Sequence, residues 1–236
     1  NAHLLAGIPP ARLYDEISKL FLTGYGVQTF ELLRQYGLFA ILFPATDKSL
    51  TYEEADFPKM MVIKALENSD QRIADNKPVT LYFLIAALLW EPMLRRAKEK
   101  LAKGLPEANA YYEAASETLT QQVRRIAIPR HLTLAIREVW NLQPKFNARV
   151  GAKPSRLMTH PRFRAAYDFL ILRAQTGDVP LEVAQWWETY QHENENTQRK
   201  MTQPQATEKN SKSKRKRTYR KKTKTSTANI VLDTHD

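Results

Sequence analysis

The stretch PVTLYFLIAALLW, residues 78–90, decides how this chain is to be read. It is apolar nearly all round, so as a helix it belongs at the centre of a core rather than on a surface. Its most apolar part, residues 81–90, is about half of what a membrane-spanning helix needs, and no longer apolar run occurs.

Outward from this run, prolines and glycines punctuate helices on both sides. Only 7 glycines occur, and no stretch alternates polar and apolar residues over strand length. Upstream, Pro9-Pro10 opens a helix with the apolar stripe Leu13, Ile17, Leu20 and Phe21, ended by Gly24 and Gly26. Residues 27–36 form a second helix with Phe30 and Leu33 inward, stopped by Gly37. An apolar turn follows at 38–43, then a polar loop at 47–56 and an amphipathic helix at 58–68. Downstream, Pro92 starts a charged helix at 93–103, and Pro106 opens one running to about residue 127. Pro129 breaks it, 130–142 resumes, and 144–155 reads as loop. Pro161 and Pro180 open helices at 162–175 and 181–190. The fold class is all-α: a helical array with short connections. From about His192 the apolar side chains vanish. The run KNSKSKRKRTYRKKTKT, residues 209–225, cannot bury enough surface to offset chain entropy, so a disordered tail is expected.

The net charge is +11, and its distribution tells more than its size. Residues 1–123 are nearly balanced, with 13 basic and 15 acidic side chains. Residues 124–173 hold 11 basic and 2 acidic ones, and residues 204–236 hold 10 and 3. Charge concentrated in this way is the footprint of a polyanion partner. The folded segment supplies Arg124, Arg125, Arg130, Arg137, Lys145, Arg149, Lys153, Arg156 and Arg162, with His131, Arg164 and Arg173 alongside. The tail adds Lys214, Arg215, Lys216 and Arg217. Between the folded cations stand Trp140, Phe146, Phe163 and Tyr167, whose rings can stack on unpaired bases; Phe163 and Tyr167, one turn apart, suit a core stripe with Leu170 instead. Arg164 and Asp168, one turn apart, suit an ion pair instead of a phosphate. Trp186-Trp187 suits a helix packed on the core as well as a base platform.

Nothing resembles a complete active site, so no catalytic and no metal-binding residue is expected. Cysteine is absent, which excludes disulfides and thiolate metal sites. None of the 5 histidines has a partner at i+4. No phosphate-binding glycine loop and no nucleophile elbow occurs; the GYG at 24–26 reads as a helix stop. Glu54/Asp56 and Glu193/Glu195 have the spacing of metal-binding carboxylates but read as solvated loop charge. The start, Asn1-Ala-His-Leu-Leu, lacks the basic head of a signal peptide, and its missing Met suggests a piece of a longer protein.

The residues also carry a family resemblance. Pro9-Pro10-Ala-Arg12-Leu-Tyr-Asp-Glu16-Ile-Ser-Lys19-Leu, then GYG, Phe30-Glu-Leu-Leu33, Tyr36-Gly-Leu-Phe39 and Leu42-Phe43-Pro44 resemble the last shared motif of class II nucleotidyltransferases. Those are the bacterial poly(A) polymerases and the CCA-adding tRNA enzymes. Asn68-Ser-Asp-Gln-Arg72-Ile, Ala127-Ile-Pro129-Arg130-His-Leu, Trp140-Asn-Leu-Gln143, His160-Pro-Arg-Phe163-Arg-Ala-Ala-Tyr167-Asp168, Trp186-Trp187 and the basic tail are similar to the poly(A) polymerase body.

The resemblance implies a head carrying the metal-binding aspartates, a neck that selects adenine, and a body. The head, and the base-reading motif of the upstream neck, have no counterpart here. The chain would then be the end of the neck (1–45), an RNA-binding body (46–192) and a disordered basic tail (193–236). Arg12, Glu16 and Lys19 would support the nucleotide pocket from behind, or Glu16 and Lys19 only stabilise their helix. No cofactor is expected in this chain; ATP and Mg²⁺ would serve the parent enzyme, and the chain alone would be inactive. The implied partners are RNA 3′ ends, ATP through the missing head and neck, and RNA-decay proteins, in a cytoplasmic setting. The alternatives are a CCA-adding enzyme and a stand-alone helical RNA-binding module.

Overall fold

Residues 81–90 are enclosed by helices in the computed structural model, which describes residues 2–51 and 57–203. Their first part is a helix, Leu81–Leu88, in which Leu81, Leu84, Ile85, Ala86, Ala87 and Leu88 are all buried. An apolar circumference leaves such a helix no face for water, and neighbours pack round it. The described residues are all-α, with no strand among them. In chain order the helices are α1 (Pro10–Phe21), α2 (Gly26–Gln35), α3 (Leu38–Leu42), α4 (Pro44–Ser49), α5 (Phe57–Ala74), α6 (Leu81–Leu88) and α7 (Trp90–Ala102). They continue with α8 (Glu107–Val123), α9 (Arg130–Leu142), α10 (Lys153–Met158), α11 (Phe163–Gln175), α12 (Leu181–His192) and α13 (Glu195–Met201). Short 3₁₀ turns occupy Ala2–Gly7 and Gln143–Asn147. Helix α6 packs on α5, α7, α9 and α11.

Several boundaries differ from the sequence reading, each for a local reason. Pro92 does not start α7; Trp90 does, and Pro92 falls in the first turn, where a missing N–H costs nothing. Leu20, placed in the apolar stripe of α1, is exposed, because the buried positions Leu13, Ile17 and Phe21 already repeat every four residues. The polar stretch from 47 begins inside α4, anchored by the Thr46 hydroxyl donating to the Leu88 carbonyl at 2.8 Å; residues 52–56 lie outside the described ones. Helix α5 runs past residue 68 to Ala74. In the added turn the Asp70 carboxylate accepts from the backbone N–H of Gly26 at 2.7 Å and of Val27 at 3.1 Å. It thus caps the orphan donors that open α2. A Cβ at Gly26 would sit 3.0 Å from Asp70 Oδ1 and 3.1 Å from Leu66 Cδ2, so a larger residue there would push both side chains back by a few tenths of an ångström. Helix α8 ends at Val123 rather than 127, and the turn after it is tied down where Ala127 N–H donates to the Pro10 carbonyl at 3.0 Å. The stretch 144–155, expected as loop, carries the second 3₁₀ turn and the start of α10.

Two apolar clusters form the interior. The larger gathers buried residues from Leu13 to Leu172, with Trp90, Trp140 and Phe169 among its largest members. The smaller joins Leu142, Phe146, Leu157, Phe163, Tyr167, Leu170, Trp187 and Tyr190. Trp187 donates its indole N–H to the Phe146 carbonyl at 2.9 Å, which satisfies the polar end of a fully buried ring. Beyond His192, where apolar residues thin out, the chain still forms α13, capped by the Asn194 side chain accepting from Thr197 N–H. Gln198 donates to the Tyr190 carbonyl at 2.8 Å, and Gly151 N–H to the Thr202 carbonyl at 2.9 Å. No helix among the described residues is long and apolar enough to cross a membrane.

Candidate nucleic-acid interface

The cations of residues 124–173 fall into two groups. In the first, the charge is already engaged by the protein. Arg173 is buried, with Nε 2.6 Å from Asp178 Oδ2, Nη1 donating to Gln143 Oε1 at 3.2 Å, and its guanidinium 4.6 Å from the Trp90 ring centre. Arg162 pairs with Glu138 at 3.0 Å and lies against the Tyr82 ring. Arg164 pairs with Asp168 at 3.0 Å, the one-turn pairing the spacing allows. Arg137 covers the Tyr112 ring at 5.6 Å, and its Nε is buried without a hydrogen-bond partner. Arg149 lies 5.8 Å from the Trp186 ring centre.

The second group has charge to offer. Among the described residues no carboxylate stands within ion-pair distance of Arg124, Arg125, Arg130, Lys145, Lys153 or Arg156, and all six are exposed. Arg124, Arg125 and Arg130 line the turn between α8 and α9, held from beneath by the buried side chains of Ile126 and Ile128. Its Ala127–Pro10 bond brings this turn against the start of α1, just ahead of the exposed Arg12. On the same helix Glu16 and Lys19 bond each other at 3.0 Å on the exposed face. Lys145, Lys153 and Arg156, with Asn141 and His160, line a cavity of about 420 Å³ beside the 3₁₀ turn and α10. Lys214, Arg215, Lys216 and Arg217 lie outside the described residues.

The interleaved aromatics form the core. Trp140, Phe146, Phe163 and Tyr167 are all buried, and the Trp140 indole donates to the Ala86 carbonyl at 3.3 Å. Rings enclosed in this way present no face to a base. Trp187 is fully buried, while Trp186 is partly exposed and stacks on Tyr190 at 4.8 Å. Asn141 stands in the sequence within the Trp140-Asn-Leu-Gln143 match, where nothing gives it a role of its own. It lies between the buried Trp140 and Leu142 near the end of α9, and its Oδ1 is buried without a donor. A polar residue amid inward-facing neighbours was the available signal.

The smaller cluster also holds perturbed acids. Burial first, then a hydrogen bond to the Glu188 carboxylate, push the Tyr167 phenol above its ordinary range. The same bond holds Glu188 below the usual carboxylate range. Burial raises Asp168, against the opposing pull of Arg164. None of these groups lines the Asn141 cavity. Among the described residues no three His, Asp or Glu side chains come together as metal ligands. Glu195 lies on exposed α13 beside Arg199, and Glu54 and Asp56 lie outside the described residues.

Comparison with known proteins bears on what this surface serves. Residues 103–222, just over half of the chain, match the family described as "Polymerase A arginine-rich C-terminus". Residues 1–50 match a second, described as "Probable RNA and SrmB- binding site of polymerase A". The chain is 44% identical over 197 residues to poly(A) polymerase I of Haemophilus influenzae, covering 82% of this chain and 43% of that one. It is 40% identical over 194 residues to poly(A) polymerase I of Salmonella typhi, covering 80% and 42%. The chain thus spans less than half the length of these relatives. The matched residues include all six free cations, and the chain belongs to the polymerase A arginine-rich C-terminus family.

Proposed function

We propose that this chain is the RNA-holding part of a polynucleotide adenylyltransferase, a cytoplasmic enzyme that adds AMP units from ATP to RNA 3′ ends and so promotes RNA decay. The observation that carries the reading is the set of six unpaired cations between Arg124 and Arg156, in a chain of a polymerase A family. Such cations position a strand by its phosphates and leave sequence unread. ATP and Mg²⁺ would act in the full-length polymerase. In this reading the part of these residues is to hold and orient the strand. The likenesses favour poly(A) polymerase over a CCA-adding enzyme or a stand-alone RNA-binding module.

In this reading residues 1–45 end the neck, 46–192 form the body, and a basic tail follows, with Lys214, Arg215, Lys216 and Arg217 reaching further phosphates. Arg137, Arg149 and Arg162, already engaged by protein groups, would contribute mainly field. Arg12 would support the nucleotide pocket with the Glu16–Lys19 pair. The name of the family matched by residues 1–50 includes SrmB binding, which supports a protein partner at that end; a partner in RNA decay is part of the proposal. The test is binding of the chain to a short unpaired RNA across a salt series. Each neutralised single-strand phosphate contributes about −0.7 to the log–log slope, so several together give a steep fall. Binding with a flat slope, or no binding at low salt, refutes the reading.

A further inference from the structure

The cavity beside α10 holds more than free charge. Its volume of about 420 Å³ suits a small organic ligand. Lys145, Lys153 and Arg156 outnumber the single carboxylate in its lining, Glu107, so the cavity is net cationic. Leu142, Pro144 and Leu157 supply apolar surface that a bare anion would not need. Asn141 lines it too, with a carboxamide that makes no hydrogen bond among the described residues. A buried polar atom without a partner calls for a physical reason, and an awaited ligand is one. His160 Nδ1 accepts from the Arg162 backbone N–H at 3.1 Å, which leaves Nε2 as the donor of the neutral ring.

We propose that this cavity takes one unpaired nucleotide of a bound RNA strand. Its phosphate lies on Lys145, Lys153 and Arg156, and its base packs on the apolar lining with an edge toward Asn141. A carboxamide offers a donor and an acceptor together, which is what base edges present. The base must be splayed out of any helix to enter, so the ligand is single-stranded. The inference rests on the RNA-holding reading above and adds to it a discrete subsite.

The experiment uses the full chain and three probes: a short oligoadenylate, AMP and inorganic phosphate. Ring resonances of His160 report occupancy, and anisotropy of labelled oligoadenylate reports affinity. The oligoadenylate is expected to shift the His160 signals saturably, AMP to do so more weakly, and phosphate more weakly still. The double variant Lys153→Ala/Arg156→Ala changes two exposed side chains, so its circular dichroism should match the parent. Its affinity for oligoadenylate should fall, and its salt slope should flatten by about 0.7 for each phosphate no longer neutralised. Asn141→Asp, which puts an anion in the cavity, should also weaken binding. If oligoadenylate binds parent and double variant equally and His160 does not respond, the subsite is overturned while the RNA-holding reading stands. If no RNA binds the parent, both fall. AMP binding as tightly as oligoadenylate would make this a free-nucleotide site, and phosphate binding as tightly as either a bare anion site; each overturns the strand assignment.

Discussion

Arg173 shows what a residue-level reading of charge misses. It belongs to the basic run that suggests a polyanion partner, yet its side chain is 9% exposed and bound to Asp178, itself 10% exposed. The Trp90 indole also donates to Asp178 Oδ2, at 2.9 Å. One carboxylate therefore satisfies two buried donors that converge from distant parts of the chain. No local spacing announces this, because Trp90 and Asp178 are far apart in the chain and meet only in the folded molecule. Removing one member of a buried pair leaves the other charged and unsatisfied. Asp178→Ala should therefore destabilise the chain by about 3–5 kcal/mol in urea unfolding. A loss within experimental error would mean that water reaches Arg173. The Tyr167–Glu188 bond makes a different residue-scale prediction. Glu188 is held below its unfolded pKa, so its contribution is present above the ordinary glutamate range and lost as pH falls through the depressed value. Tyr167→Phe should cost about 1 kcal/mol at neutral pH, discounted because Glu188 is largely exposed. The gap to the parent should close in acid. Equal loss at both pH values would show that the cost lies in packing alone.

At the scale of elements, proline and glycine made the long helices legible. Pro10, Pro106, Pro129 and Pro180 each stand at or beside the start of a helix. The short helices α4, α10 and α13 were not legible, because segments of that length are marginal alone and form through tertiary contacts. Helix α13 is the sharpest case. It buries no residue fully, and hydrogen bonds to Tyr190 and Gly151 secure its middle and its C-terminal end to the rest of the fold. Composition cannot encode such bonds, so the thinning of apolar residues after His192 reads as the end of structure when it is not. Two truncations separate these statements. Ending the chain after Gln203 should leave the thermal midpoint nearly unchanged, since the residues removed supply little apolar surface. Ending it after Glu193 deletes α13 and leaves the Gly151 N–H without its carbonyl, and should lower the midpoint by several degrees, roughly 1–2 kcal/mol. Equal midpoints for the two would show that α13 adds no stability.

For the whole molecule, the location of excess positive charge was legible from counting side chains, and the division of that charge was not. Whether an arginine is free depends on which carboxylate or ring the fold brings to it. Arg162, just ahead of α11, meets Glu138 on α9, and Arg137 on α9 meets Tyr112 on α8. The free group on the α8–α9 turn, Arg124, Arg125 and Arg130, is fixed on a buried base, whereas the charge of residues 204–236 lies in a stretch with few apolar side chains. This contrast gives the last prediction. Deleting 204–236 should lower affinity and flatten the salt slope for every unpaired RNA alike, because it removes ten cations that can neutralise phosphates but read no bases. Changing Arg124, Arg125 and Arg130 together to Ala should also flatten the slope, by up to about 2 if each neutralises one phosphate. In a full-length polymerase the triple variant should in addition slow tail addition, since a loosened strand presents its 3′ end less often in line for attack. Sequence preference should not change in either variant, because phosphates carry no base information. The measurement is a salt titration of parent, deletion and triple variant on the same unpaired RNA, paired with tail-addition rates in the intact enzyme. A triple variant matching the parent in affinity and slope would make the α8–α9 turn an ordinary solvated surface. Holding the RNA would then fall to the tail and to the cavity cations.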